Sequence, residues 1–363
     1  MRIFEQRIQS ILDQVTADGS ERGLQVAVYL KGELAANCFA GVTDPAGRRR
    51  VDDTTLFPVF STTKGIAATL VHLLVERGEI TYDTPIAEVW PEFAAHGKGS
   101  ITLRHALNHT AGIPLVPWGV GHAELGNWNK ICAAVADLKP SSPPGDEAVY
   151  HAITYGWLLG EVARRVDGRP FGELLRDEIS MPLDLTEELF VGIPDDVEPR
   201  LVLLEAKVDE KELEKIRNDT SPQAIPALVQ PLHAWMNRPD ARRACLPASN
   251  GIMTAHAVAR HYAALLPGGV DGIELLPPAR IALATEPQRP RKLAAGDPPP
   301  NHRLGYGMDG WFSPTAFGHG GFGGSLGFAD PACGLAFGFT RSRFDSEATL
   351  PRILDLVREA VKA

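Results

Sequence analysis

Ser61-Thr62-Thr63-Lys64 places a hydroxyl three residues before a primary amine. The chemistry within reach is acyl transfer. A serine becomes a nucleophile when a base takes its proton, and a lysine is such a base once burial or a neighbouring cation lowers its pKa. The apolar continuation from Gly65 has helical spacing and a stop at Gly78, which predicts a helix over 61–78. An i, i+3 pair lies on one face of that helix, so the amine reaches the hydroxyl. The helix N-terminus adds N–H groups and partial positive charge suited to an oxyanion. Taken alone, Ser-x-x-Lys is also an ordinary helix start followed by a solvated lysine.

Two further stretches carry chemistry. Tyr150 stands between the turn-rich Pro143–Val149 and a helical stretch at 153–166. A phenol at that junction projects into a cleft as base and then acid, or simply packs half-buried. In Phe317-Gly318-His319-Gly320-Gly321-Phe322-Gly323-Gly324-Ser325, the glycines let backbone approach a ligand and offer N–H groups to an acyl carbonyl. The alternative is a glycine-rich hairpin with no ligand. Two decoys overlap it. Residues 323–327 match G-x-S-x-G, yet Phe328-Ala329-Asp330-Pro331 reads as a strand end and turn where Ser325 would need a helix. Residues 318–323 match G-x-G-x-x-G, but no helix opens there, so no dinucleotide site is expected.

The elements that position these residues follow from periodicity. A helix is expected over 3–17, then a hairpin of Leu24–Leu30 and Leu34–Gly41 through Gly32-Glu33. Residues 100–260 read as mostly helical, with stretches at 101–109, 127–137, 153–166, 171–179 and 254–266. Dense mixed charge at 205–217 reads as a solvated helix face. The proline-bearing 218–243 reads as irregular, either covering a pocket or making a surface excursion. Strands are expected at 305–308, 317–328 and 334–340, and a closing helix at 352–362. The fold class is α+β: an antiparallel sheet flanked by N- and C-terminal helices, with a mostly helical domain inserted. Residues 1–60 and 267–363 would form the α/β domain and 61–266 the insert, with the site in the cleft between them.

A chain of 363 residues buries a large core. Its net charge of −9, with no Lys/Arg block, argues against nucleic acid as a partner. No apolar run is long enough to span a membrane. Met1–Ile8 reads as an amphipathic helix start and not as a secretory segment, so a cytoplasmic location is expected. Cys38, Cys132, Cys245 and Cys333 are isolated, which predicts free thiols and no structural metal. His105 and His109 form H-x-x-x-H without the following Glu, a helix-packing pattern.

Together these motifs resemble the serine β-lactamase and penicillin-recognising superfamily, and within it the family VIII carboxylesterases. The matching pieces run in the family's order: Phe57–Lys64, Leu103–Ile113, Pro144-Gly145 with Tyr150 after it, Ser249-Asn250-Gly251-Ile252, and His319-Gly320-Gly321. They span roughly residues 5–345. The resemblance implies Ser61 as the acylated nucleophile, Lys64 and Tyr150 sharing base and acid work, and the Ser61 and Phe322 amides as the oxyanion hole. His319, Gly320, Gly321 and Ala152 would contact substrate. No cofactor is implied.

Two departures narrow the substrate. Class C lactamases carry Tyr-x-Asn where this chain has Tyr150-His151-Ala152, so the amide that would bind an acylamino side chain is absent. Their Lys-Thr-Gly is His319-Gly320-Gly321 here, and a histidine is largely neutral near pH 7. Both changes suit a neutral ester of small to medium size, with β-lactam hydrolysis a weak side activity. The same acyl-enzyme would also serve an acyltransferase or a small-amide hydrolase. A non-catalytic binding protein on this fold is the third reading; loss of Ser61, Lys64 or Tyr150 would have favoured it. Trp118 and Trp128 are candidates for lining an acyl pocket, against ordinary packing.

Overall fold

Leu24, Val26 and Val28 face one hydrophobic cluster while Ala27 and Tyr29 face another. This is the period-two alternation of a strand covered on both sides. The computed structural model describes residues 2–117, 120–206, 211, 214, 225, 229–344 and 348–362. In chain order the strands are β1 (Gly23–Leu30), β2 (Glu33–Gly41), β3 (Phe57–Phe60), β4 (Leu189–Val191), β5 (Gly251–Met253), β6 (Phe317–Gly320), β7 (Leu326–Asp330) and β8 (Leu335–Arg341). Five of them form an antiparallel sheet in the order β2-β1-β8-β7-β6. The short β3, β4 and β5 form a second antiparallel sheet, ordered β3-β5-β4.

The helices that bear on the site are α1 (Arg2–Ala17), α2 (Thr63–Glu76), α3 (Leu103–Leu107), α4 (Trp128–Ala136), α5 (Thr154–Asp167), α6 (Phe171–Leu175), α7 (Leu232–Met236), α8 (Pro239–Arg243), α9 (Ala255–Ala263) and α10 (Thr349–Lys362). On one face of the large sheet, α1 and α10 bury Ile8, Leu12, Ile353 and Val357 in a cluster shared with β1, β2, β7 and β8, with α1 lying mainly on β2. On the other face lies α9. Gly327 and Gly338 are register partners beneath it. A Cβ on Gly338 would come within 2.1 Å of Ala255 O, and one on Gly327 within 2.4 Å of Val258 Cγ1. The two glycines let α9 settle directly on the sheet backbone.

Every residue of α2 from Thr63 to Val75 is buried. A helix apolar on all sides belongs in a core, and α2 packs between α5 and β6. Lys64 is therefore enclosed and not solvated. The helix begins at Thr63, two residues later than its sequence suggests, because Ser61 and Thr62 form a turn in which the Lys64 amide bonds to Ser61 O.

Other segments differ from expectation. The stretch 317–328 is two strands, not one: Gly323 and Gly324 adopt φ of 82° and 98°, and a short 3₁₀ turn there reverses the chain. Residues 305–308 make only isolated bridges, because Gly305 at φ 89° breaks the extended run. Within 218–243, the described residues include α7 and α8. Most of 205–217, and Trp118, lie outside the described residues. No helix among the described residues is long and apolar enough to cross a membrane.

Candidate active site

Ser61 follows Phe60, a buried residue at φ 46°. A non-glycine residue in the left-handed region is strained and persists where its surroundings hold it. Phe60 is held by aromatic packing: Phe60, Phe322 and Phe344 form a triangle of edge contacts with ring centroids 5.4 to 5.9 Å apart. The turn after Phe60 is pinned from the β7 side. Ser325 Oγ donates to Val59 O at 2.7 Å and lies 3.1 Å from Thr62 Oγ1. Gly321 is needed for this closeness, since a Cβ there would meet Val59 O at 2.1 Å and Ser325 Oγ at 2.2 Å. Ser325 is thus a buried structural hydroxyl that a strand follows, which removes it as a nucleophile.

Lys64 Nζ lies 3.1 Å from Ser61 Oγ and 2.8 Å from both Ala152 O and Ala248 O. Its side chain is fully buried, and burial holds its pKa well below the usual lysine range. A neutral amine has two N–H donors and one lone pair. When Lys64 is neutral, the two carbonyls can take its donors, and the lone pair is then left for Ser61 Oγ.

Both carbonyls are fixed by side chains. Asn250 donates to Ala241 O and Ala244 O and accepts from the Leu246 amide, shaping the loop that presents Ala248. His151 donates to Val149 O at 2.6 Å and accepts from the Ile113 amide at 3.1 Å, and its own amide donates to His109 Nδ1. These bonds set its tautomer, and burial lowers its pKa to about 4. They also hold the Tyr150–Ala152 turn against the loop after α3. His109 lies beyond α3 at φ 63°, so it stacks in the site and does not share a helix face with His105.

Tyr150 stacks on His302 and packs at a tilt against His109, with centroids 5.3 and 4.7 Å away, and its ring centroid is 4.8 Å from Lys64 Nζ. Burial pushes its phenol up to about 12, against an opposing interaction with the Ser61 hydroxyl. The phenol is therefore protonated near pH 7. His319, on β6, lies beside it at 6.3 Å between ring centroids. His319 Nδ1 pairs with Gly320 O, and burial lowers its pKa to about 3. His319 Nε2 and Ser249 Oγ are buried without a hydrogen-bond partner among the described residues, the condition in which a polar atom awaits a ligand or water.

A cavity of about 290 Å³ opens on this group. Ser61, Tyr150, Ala152, Gly320, Gly321 and Phe322 line it, together with Ile225, Leu232 and Trp235. The Ser61 and Phe322 amides have no acceptor among the described residues. Of the residues singled out in the sequence, Ser61, Lys64, Tyr150, His319, Gly320, Gly321 and Phe322 come together, and Ala152 contributes its carbonyl. Trp128 does not join them; its Nε1 donates to Glu161 at 2.7 Å. Sequence reasoning missed Ala248, which acts through a backbone carbonyl that its residue type does not advertise. It also missed Ile225, Leu232 and Trp235. Among the described residues no group of three or more His, Cys, Asp or Glu side chains is arranged to hold a metal ion, and all four cysteines are free.

Comparison with known proteins bears on this geometry. The sequence model of the Beta-lactamase family matches residues 8–362. The Esterase/beta-lactamase LipL of Mycobacterium tuberculosis is 34% identical over 364 aligned positions, covering 93% of this chain and 82% of that protein. The crystal structure of a family VIII carboxylesterase superposes with a TM-score of 0.85 at 29% identity, covering 98% of this chain and 97% of the other. A penicillin-binding protein homolog from Caulobacter crescentus superposes with a TM-score of 0.80 at 33% identity, covering 99% and 97%. These relatives are esterases, β-lactamases or penicillin-binding proteins. The chain has the β-lactamase/transpeptidase-like fold and belongs to the beta-lactamase family, alongside the family VIII carboxylesterases.

Proposed function

We propose that this protein is a serine carboxylesterase that hydrolyses small to medium esters through an acyl-enzyme on Ser61. The observation that carries the reading is the buried Lys64, whose Nζ lies 3.1 Å from Ser61 Oγ and 2.8 Å from the carbonyls of Ala152 and Ala248. Lys64 takes the Ser61 proton as Oγ attacks the ester carbonyl carbon. The oxyanion forms between the Ser61 and Phe322 amides, where one such donor contributes on the order of 3 kcal/mol. Tyr150 is protonated, so it gives its proton to the leaving alkoxide and recovers one from Lys64. Water then enters, loses a proton to the same pair, and releases the acid.

Ala152 and His319 support esters over β-lactams, because neither offers the amide or the cation that a charged acylamino substrate would use. β-Lactam hydrolysis is a weak side activity in this reading. Transfer of the acyl group to an alcohol or amine, or cleavage of a small amide, would use the same acyl-enzyme and is the second reading. A solely non-catalytic role is disfavoured by the intact Ser61–Lys64–Tyr150 arrangement. The test is hydrolysis of p-nitrophenyl butanoate together with mass spectrometry after fluorophosphonate treatment. Activity and a mass adduct on Ser61, both lost in Ser61→Ala, are expected. Undiminished hydrolysis in Ser61→Ala would end the proposal. A cephalosporin turned over faster than the ester would overturn the substrate assignment.

A further inference from the structure

We infer that the cavity beside Ser61 holds the acyl half of the ester, and that Leu232 and Trp235 on α7 set the longest acyl chain it admits. The inference rests on Ser61 being the acylated residue. Among the described residues, none lining the cavity is Asp, Glu, Lys or Arg, so a charged acyl group would lose its hydration there without a partner from them. The polar lining comes from Ser61, Tyr150, Ser249 and the backbone from Gly320 to Phe322. Ile153, Ile225, Leu232 and Trp235 supply the apolar remainder. Leu232 and Trp235 are themselves only 7% and 5% exposed, so they form a packed wall and not a loose rim.

The size is informative. An apolar cavity of about 150 Å³ holds a benzene. A cavity of about 290 Å³, roughly twice that, has room for an acyl group of phenylacetyl or octanoyl size. The wall also suits the acyl half better than the alcohol half. The alcohol must leave for solvent once the ester bond breaks, while the acyl group stays on Ser61 until water arrives. A walled, apolar recess serves the group that stays, and the exposed Phe322 marks the open side. The wall comes from the proline-bearing segment whose sequence fitted either a pocket cover or a surface excursion.

The experiment compares p-nitrophenyl esters from acetyl to dodecanoyl, and separately a butanoate series with lengthening alcohols, in the full chain. The wild type is expected to favour butanoyl to octanoyl and to turn over dodecanoyl poorly. Trp235→Ala is expected to raise the dodecanoyl-to-butanoyl ratio of kcat/KM by about tenfold, the scale of one or two methylenes in an apolar pocket. It should leave the alcohol series unchanged. Leu232→Phe fills the recess and should depress octanoyl while sparing acetyl, so a poorly folding Trp235→Ala does not decide the matter. A succinyl ester should be turned over at least about a hundredfold less well than pentanoyl. An acyl profile unmoved in both variants, or a shift in the alcohol series instead, overturns the inference. Fluorophosphonate labelling of Ser61 separates the two levels: a labelled, active enzyme with an unmoved profile refutes the wall alone, and no label on Ser61 refutes the underlying reading.

Discussion

Lys64 Nζ sits 3.1 Å from Ser61 Oγ inside a core that admits no solvent to the lysine. Proximity follows from the i, i+3 spacing, but the direction of the lone pair follows from Ala152 O and Ala248 O, far away in sequence. Replacing Lys64 by Met should therefore have two effects. Ester hydrolysis should fall by about 10²- to 10⁴-fold for loss of the general base. The abandoned carbonyls should cost about 1–3 kcal/mol each, read from the denaturant midpoint. Lys64→Arg should not restore activity, because a guanidinium stays protonated. An active Lys64→Arg enzyme would contradict the assigned role.

The pH profile of kcat/KM follows from the same environment. Lys64 accepts a proton only when neutral, so activity should rise as pH climbs through its depressed pKa, well below the ordinary lysine range. Tyr150 must be protonated to act as acid, so activity should fall as its phenol ionises near 12. Rates on a pH-insensitive ester would reveal both limbs. Tyr150→Phe should abolish the alkaline limb along with most of the rate.

Phe344 touches neither reacting atoms nor Lys64, yet its ring packs against the side chains of Phe60 and Phe322. In the proposed mechanism Phe60 precedes one oxyanion amide, that of Ser61, and Phe322 supplies the other. Phe344→Ala should lower kcat by on the order of ten- to a hundredfold, the cost of a small misplacement of reacting groups, with KM little changed. Affinity for a trifluoromethyl ketone should weaken in parallel, and Phe344→Tyr should recover most of the loss. A change in thermal stability alone would show that the triangle is only packing.

Ser325→Ala separates the decoy from the nucleophile. Fluorophosphonate should still label Ser61, and ester hydrolysis should persist. Stability should drop by about 1 kcal/mol because Val59 O keeps the Thr62 amide but loses the Ser325 hydroxyl. Loss of labelling with an intact fold would restore Ser325 as a candidate.

Acid should destabilise the fold through buried neutral histidines. Burial lowers His72, His261 and His319 to about 3 and His151 to about 4, from an ordinary 6.5. The unfolded chain binds their protons first as pH falls, so stability is complete above 6.5 and declines below it. Each histidine contributes up to about 1.4 kcal/mol per pH unit in that window. Denaturant midpoints between pH 7 and 4.5 would show the slope, and His261→Gln should flatten it. A midpoint independent of pH would refute this account.

The parts of the site that were legible in the sequence are those carried by side-chain type. Ser61, Lys64, Tyr150 and the His319-Gly320-Gly321 strand could be read because each chemistry demands a particular residue, and the helices and β1–β2 hairpin because periodicity marks them. Three things escaped. Ala248 works through a carbonyl that any residue owns. The wall of Leu232 and Trp235 lies in a stretch where prolines hide two short helices. The break between β6 and β7 depends on Gly323 and Gly324 taking left-handed backbone angles, while a run of glycines and phenylalanines reads equally well as one strand.

The pairing of β1 with β8 carries a consequence for timing. Ser342 Oγ donates to Gly23 O across 319 positions of chain, and the strand bearing His319 joins the sheet only through β7 and β8. Ser61 and Lys64 leave the ribosome long before the amide of Phe322 exists. In the proposed mechanism a nascent chain thus carries Ser61 without the Phe322 amide, and its lysine, still in water, keeps its proton. On that reading, hydrolytic power waits until the last strands close the sheet.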